Sequence, residues 1–239
     1  MRMLDAEGNS MGNGARGDES RAPTWHFISL IFAFLMASPT NPWGISVFHF
    51  IPLRGTATVI FTIVIGLNIL LALYAILGFR IRGKECWFNN YENCSWKPRP
   101  IDILIGIAVG ICLIAMSIIF ETLFPGGRRN VAPELAKTDF DRSLELIMYF
   151  VVSICEEIQF RGYFLRQLVT LTSSTGMAVT LQAVIFVFMH GSSQGASGYL
   201  TRFGFGLAFG LVAVLRRSLW PSITAHLLIN ITAFALGLS

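Results

Sequence analysis

IDILIGIAVGICLIAMSIIFETLF, residues 101–124, holds only two ionisable side chains, Asp102 and Glu121, both towards its ends. A helix of about 20 apolar residues crosses the hydrocarbon core of a bilayer. So long an apolar run reads as a membrane span rather than as one face of a soluble core. Further apolar runs occupy 24–53 (interrupted by Pro39 and Pro42), 56–79, 143–170, 175–193, 199–215 and 219–238. Together they predict an all-α, polytopic transmembrane helix bundle of seven spans, or eight if the first run is a broken pair.

Composition agrees. The 239 residues are 54% hydrophobic and 13% charged, with a mean hydropathy of +0.61, which leaves too few charges to coat a soluble fold of this size. The net charge of +4 does not point to nucleic acid, because the Lys and Arg sit in short blocks between apolar runs. That pattern sets topology. With the N-terminus inside, the inner side receives twelve of the 18 Lys and Arg, including those of the basic 80–100 loop, and the outer side six. An N-in, C-out arrangement in the cytoplasmic membrane of a prokaryote is expected, with the bilayer itself as one partner.

The expected organisation has three parts. Residues 1–23, rich in Gly, Asp, Arg and Ser, form a flexible cytoplasmic tail with no cleavable signal peptide. Residues 24–99 hold the first helices and the basic cytoplasmic loop, and 100–239 form the core. The four cysteines show no CxxC pair, so neither a zinc ribbon nor a disulfide framework is read; a Cys86–Cys94 bridge would need an oxidising side. Gly204, Gly206 and Gly210 suit close helix packing. The Gly-rich stretch 191–198 is read as an interhelical loop, with a lid over the site as the alternative.

The decisive residues are those that lipid should exclude. An ionisable side chain at a helix centre costs about 2.5–3.5 kcal/mol on insertion scales and therefore faces a cavity or a partner. The fourth run contains Ser153-Ile-Cys-Glu156-Glu157-Ile-Gln-Phe-Arg161. Glu157 and Arg161, four apart, can pair on one helical face, while Glu156 points about 100° away. His190 closes the fifth run, and His226 and Asn230 share one face of the last. A carboxylate beside a histidine can deprotonate water, and an imidazole and an amide one turn apart suit a developing oxyanion. Each feature has a plainer reading: a structural ion pair, an interfacial histidine, interhelical hydrogen bonding. Their joint occurrence on three apolar helices favours one shared site.

In order along the chain, Glu156-Glu157-x-x-x-Arg161, Phe186-x-x-x-His190 and His226-x-x-x-Asn230 resemble the CPBP family of CaaX proteases and bacteriocin-processing enzymes, also called the Abi family. The resemblance covers about residues 100–238, with no departure within the three motifs. It implies an intramembrane endopeptidase with a cavity open towards the cytoplasm and a peptide or protein substrate, prenylated or leader-bearing. In it Glu156 and His190 activate the water, His226 and Asn230 stabilise the oxyanion, and Glu157 with Arg161 orients the site.

Members of the family are described both as metalloproteases and as glutamate proteases. A hydrolytic zinc site takes three protein ligands, often with short-range spacing such as His-Glu-x-x-His, and that spacing is absent here. Glu156, His190 and His226 could still converge on zinc, but Asn230 makes better sense as an oxyanion donor, so the metal-free mechanism is preferred. Two other classes compete: a transporter whose polar residues line an ion path, and a catalytically silent scaffold or immunity protein.

Depth provides a geometric demand. At 1.5 Å per residue, Glu156 lies about 20 Å from the outer start of its run and His226 about 10 Å from the inner start of its own, both in the inner half of the core. Counted from 175, His190 lies about 22 Å from the inner face, out of level with both. Either the fifth helix begins below the membrane or the boundaries differ.

Overall fold

The computed structural model describes residues 23–37, 57–80, 98–125, 138–190 and 195–236. The expected tail (1–22), Pro39 and Pro42, most of the basic loop with Cys86 and Cys94, and residues 191–194 of the Gly-rich stretch lie outside them. Where described, every predicted run is helical, and no strand occurs among the described residues. The elements are α1 (Thr24–Ala37), α2 (Ala57–Arg80), α3 (Pro100–Leu123), α4 (Asp139–Glu157), a π-helical segment (Ile158–Phe164), α5 (Leu165–Thr172), α6 (Thr175–Met189), α7 (Gly195–Arg216) and α8 (Trp220–Ala235). Helices α2, α3 and α7 are long and apolar enough to cross a membrane, and α1 and α6 are shorter apolar helices.

Helix α3 shows the logic of a bilayer fold. Leu104, Ile111, Ile118 and Leu123 are exposed while Asp102, Gly106, Gly110 and Leu113 are buried, so small and polar residues face the protein and large apolar ones face outward. Association of such helices depends on close packing rather than on removing apolar surface from water. A Cβ on Gly106 would stand 2.6 Å from both the carbonyl oxygen of Pro221 and Cβ of Thr224, on α8. Gly206 presses as closely on Ala183, bringing α7 onto α6. Close packing is therefore what the α7 glycines serve.

Polar contacts then fix the ends. Thr138 and Asp141 form a reciprocal capping box at the start of α4, satisfying N–H groups that lack helical partners. Asp141 also accepts a 2.6 Å hydrogen bond from Thr58 on α2. That bond, and the one from Thr138, hold its carboxyl below the usual carboxylate range. At the opposite end of α7, buried Asp102 accepts from Arg99 at 2.8 Å and from Arg216 at 3.0 Å, tying the start of α3 to the end of α7.

Two registers position the site. Helices α4 and α8 run antiparallel, and their facing residues match at every fourth position: Glu157 with His226, Ser153 with Asn230, Tyr149 with Phe234. The second register is the α5–α6 hairpin, which turns at Ser173 (φ 54°) and Ser174, the latter capping α6 through the Met177 N–H. Phe160 and Phe186 lie almost equally far from that turn, and their rings meet at 5.0 Å.

Because Pro221 O is backbone and cannot swing away, Gly106→Ala is expected to destabilise the α3–α8 contact by about 1–3 kcal/mol. Gly66→Ala, where nothing lies within 4 Å of the added Cβ, serves as the control. The check is Tm in detergent: a drop for Gly106→Ala with no drop for Gly66→Ala.

Candidate active site

The last turn of α4 carries Glu156 and Glu157, and the chain then widens into the π segment. All seven of its residues are buried, and Leu165 N–H reaches back five residues to Phe160 O. Such wide turns are rare and recur at functional sites. They were not foreseen, since a segment buried on every side has no amphipathic period to betray a change of pitch.

Arg161, inside this segment, donates from Nη1 to Glu157 Oε1 at 2.8 Å, and both side chains are fully buried. The four-residue spacing therefore does form a pair. The same oxygen meets His226 Nδ1 at 2.9 Å. Since the carboxylate can only accept, Nδ1 carries a proton, and the free face of the ring is Nε2. Arg161 Nε and Nη2 make no hydrogen bond among the described residues. Instead the guanidinium lies over three rings, Phe186 at 4.7 Å, Phe209 at 5.0 Å and Phe160 at 5.7 Å, an arrangement that attracts a desolvated cation. Phe209 also stacks on His226 at 5.3 Å.

Glu156 takes a separate direction. Its Oε2 lies 3.7 Å from His190 Nε2, too far for a direct hydrogen bond. His190 caps the end of α6, and its Nδ1 is 2.7 Å from Phe186 O. A carbonyl accepts, so the ring proton of a neutral His190 is on Nδ1 and Nε2 turns a lone pair towards Glu156. This pair is partly open, with side-chain exposures of 14% for Glu156 and 24% for His190, whereas Glu157 and Arg161 are sealed. The depth mismatch for His190 disappears: Glu156 and His190 stand almost equally far from the turn at Ser173–Ser174, so the hairpin levels them. The 139–172 stretch is one continuous helical rod longer than the predicted run 143–170, so a depth counted from its outer end and one counted from residue 175 do not share an origin.

Asn230 is brought to the neighbouring rung, its Nδ2 donating to Ser153 Oγ at 3.0 Å. All six candidates therefore gather around the π segment, as two coupled sets: Glu156 with His190, and Glu157 with Arg161 and His226, flanked by Asn230. Three neighbours were missed. Ser153 lies one turn before Glu157 and was visible as a four-residue polar stripe. Arg202 was counted among the outer charges, but it lies in the second turn of α7, and its charge acts on both Glu156 and His190. Phe209 had no sequence signal, being one aromatic among 20 phenylalanines.

Zinc chemistry needs a converging donor set. Among the described residues, no group of three His, Cys, Asp or Glu side chains gathers as a metal site. Glu156 Oε2 faces His190 Nε2, and His226, held at Nδ1 by Glu157, keeps Nε2 open; a histidine fixed in this way through its other nitrogen can serve either a metal or a water-based site.

Residues 142–232 match the family model described as Rce1-like, type II CAAX prenyl endopeptidase Rce1-like. The matched stretch holds all six candidate residues, in agreement with the resemblance read from the motifs. No curated protein and no solved structure matches the chain. Over that stretch the chain is similar to the CAAX-type prenyl endopeptidases, and the apolar helices agree with an integral membrane protein.

Removing one member of a buried pair leaves an uncompensated charge, at a cost of about 3–5 kcal/mol. Arg161→Met is accordingly expected to lower Tm strongly. The double variant Arg161→Met with Glu157→Gln should recover a large part of that loss. Equal Tm for the single and double variants, measured in the same detergent, contradicts the pairing energetics.

Proposed function

We propose that the protein is an intramembrane endopeptidase that hydrolyses a peptide bond of a membrane-associated substrate with water activated by Glu156 and His190. The observation that carries this reading is the 3.7 Å gap between two acceptors, Glu156 Oε2 and His190 Nε2. Two acceptors at that distance suit a shared water, which donates one proton to each and presents its own lone pair to a carbonyl carbon. Glu156 takes the proton as the C–O bond forms, and returns it to the amine as the C–N bond breaks.

The tetrahedral oxyanion falls to Asn230 and His226. Asn230 has a second amide N–H beyond the one used on Ser153. A neutral His226 with its proton on Nδ1 has an acceptor at Nε2, so it donates to an oxyanion as imidazolium, balanced by Glu157. Arg161 shares that carboxylate oxygen and fixes its position, so the set is preorganised before substrate arrives. The second carboxylate is therefore a support, not a second base.

The similarity to type II CAAX prenyl endopeptidases supports, as the proposed substrate, a protein or peptide bearing a prenylated C-terminal CAAX sequence, with a leader-bearing peptide as the other candidate. The Lys and Arg distribution supports an N-in orientation, with the site reached from the cytoplasmic side. The mechanism is proposed as metal-free because Asn230 suits an oxyanion donor better than a metal ligand.

In purified protein with a quenched fluorescent prenylated CAAX peptide, Glu156→Gln and His190→Ala are each expected to lower kcat by about 10²-fold or more. A phenanthroline chelator is expected to leave the wild-type rate unchanged. Wild-type rates in both variants contradict the assignment, and a chelator-sensitive rate restored by zinc contradicts the metal-free step.

A further inference from the structure

The polar line on α4 continues beyond the pair that holds the site. Ser153 lies one turn before Glu157 and is fully buried. Its Oγ is 2.7 Å from the carbonyl oxygen of Tyr149 on its own helix. That carbonyl can only accept, so the hydroxyl proton of Ser153 is committed to it, and Oγ is left as an acceptor alone. Across the helix contact, Asn230 Nδ2 stands 3.0 Å from that acceptor.

The consequence concerns the direction of an amide. An asparagine side chain offers an oxygen on one side and an NH2 on the other, and nothing in its shape favours one setting. Here the partner decides, because an acceptor-only Ser153 can pair with the nitrogen but not with the oxygen. Turning the amide over would set Asn230 Oδ1 against Oγ, two acceptors at hydrogen-bond distance, in a part-buried contact where the fully buried Ser153 has no water to turn to. Ser153 thereby sets which side of Asn230 carries its N–H groups. The Glu157–His226 pair one turn away keeps the two helices in the register that this bond needs.

We propose that Ser153 is a positioning residue for the proposed hydrolysis: it holds the Asn230 amide with its nitrogen presented, so that the second N–H is aimed before the oxyanion forms. This rests on the endopeptidase reading of the site. Ser153 acts through Asn230 and touches no reacting atom. Loss of the hydroxyl frees the amide to turn, so about a third to a half of the oxyanion stabilisation from that residue is lost while ground-state substrate binding is kept.

The test uses the full-length protein in detergent, the same prenylated CAAX peptide, and a two-by-two set of variants. Ser153→Ala is expected to lower kcat by about tenfold, a fraction of the 10²–10³ typical for removing an oxyanion donor outright, with KM within about twofold. Asn230→Ala should be slower still. The double variant Ser153→Ala with Asn230→Ala should match Asn230→Ala by itself, because Ser153 has then nothing left to aim. Ser153→Thr, which keeps the hydroxyl, should restore most of kcat, and Ser153→Cys, which adds no methyl and keeps a weak acceptor, should restore part of it if the Thr variant lowers Tm.

A Ser153→Ala effect that persists undiminished in the Asn230→Ala background overturns the proposal, since the hydroxyl then acts through something else. So does a change confined to KM, or no change at all. If Asn230→Ala itself turns over at the wild-type rate, the oxyanion assignment falls and the Ser153 proposal with it. Loss of the Glu156 and His190 effects, by contrast, sinks the endopeptidase reading.

Discussion

A single carboxylate oxygen, Glu157 Oε1, receives both Arg161 and His226, and most of the site depends on it. In a bundle packed for lipid, a charge is tolerated only with its counter-charge in contact. Pairing Glu157 with Arg161 therefore determines more than a local contact. The guanidinium must sit among Phe160, Phe186 and Phe209, drawn from the π segment, α6 and α7, and His226 must arrive from α8 in one helical register. The ion pair joins five elements, α4, the π segment, α6, α7 and α8, into one frame.

That frame leaves Glu156 unengaged. The two glutamates are adjacent in the chain but project about 100° apart around the helix, so one is sealed in the pair while the other reaches the partly open side near His190. Two identical side chains thus receive different environments from a rotation of one residue. The aromatic rings contribute twice, screening the guanidinium nitrogens that have no hydrogen bond among the described residues and stacking the imidazole of His226.

Support for the frame also comes from outside the family-matched stretch. His26 on α1 is fully buried, and its Nδ1 meets Tyr163 Oη at 2.8 Å, two residues beyond Arg161 in the π segment. Gln159, on the same segment, donates to Asn68 O on α2 at 3.0 Å. The first helices therefore pack against the element that carries the site, rather than only anchoring it.

Fold class and candidate residues were readable in the sequence by itself, for one reason: in a membrane, an apolar run of sufficient length has few structures open to it, and a charge within such a run needs a partner. Those two energetic rules pick out the helices and then Glu156, Glu157, Arg161, His190, His226 and Asn230 against an apolar background. What tertiary structure decided was which atoms meet. The π turns carry no periodic signal because they are buried all round, and the level of His190 relative to Glu156 depends on how the two arms of the hairpin pair. The direction of Asn230, the tautomers of two histidines and the place of Phe209 follow from hydrogen bonds and ring contacts between residues far apart in the chain. Spacing along one helix can say which side chains share a face, but the partner on the next helix is set by register, and register is a property of the packed bundle.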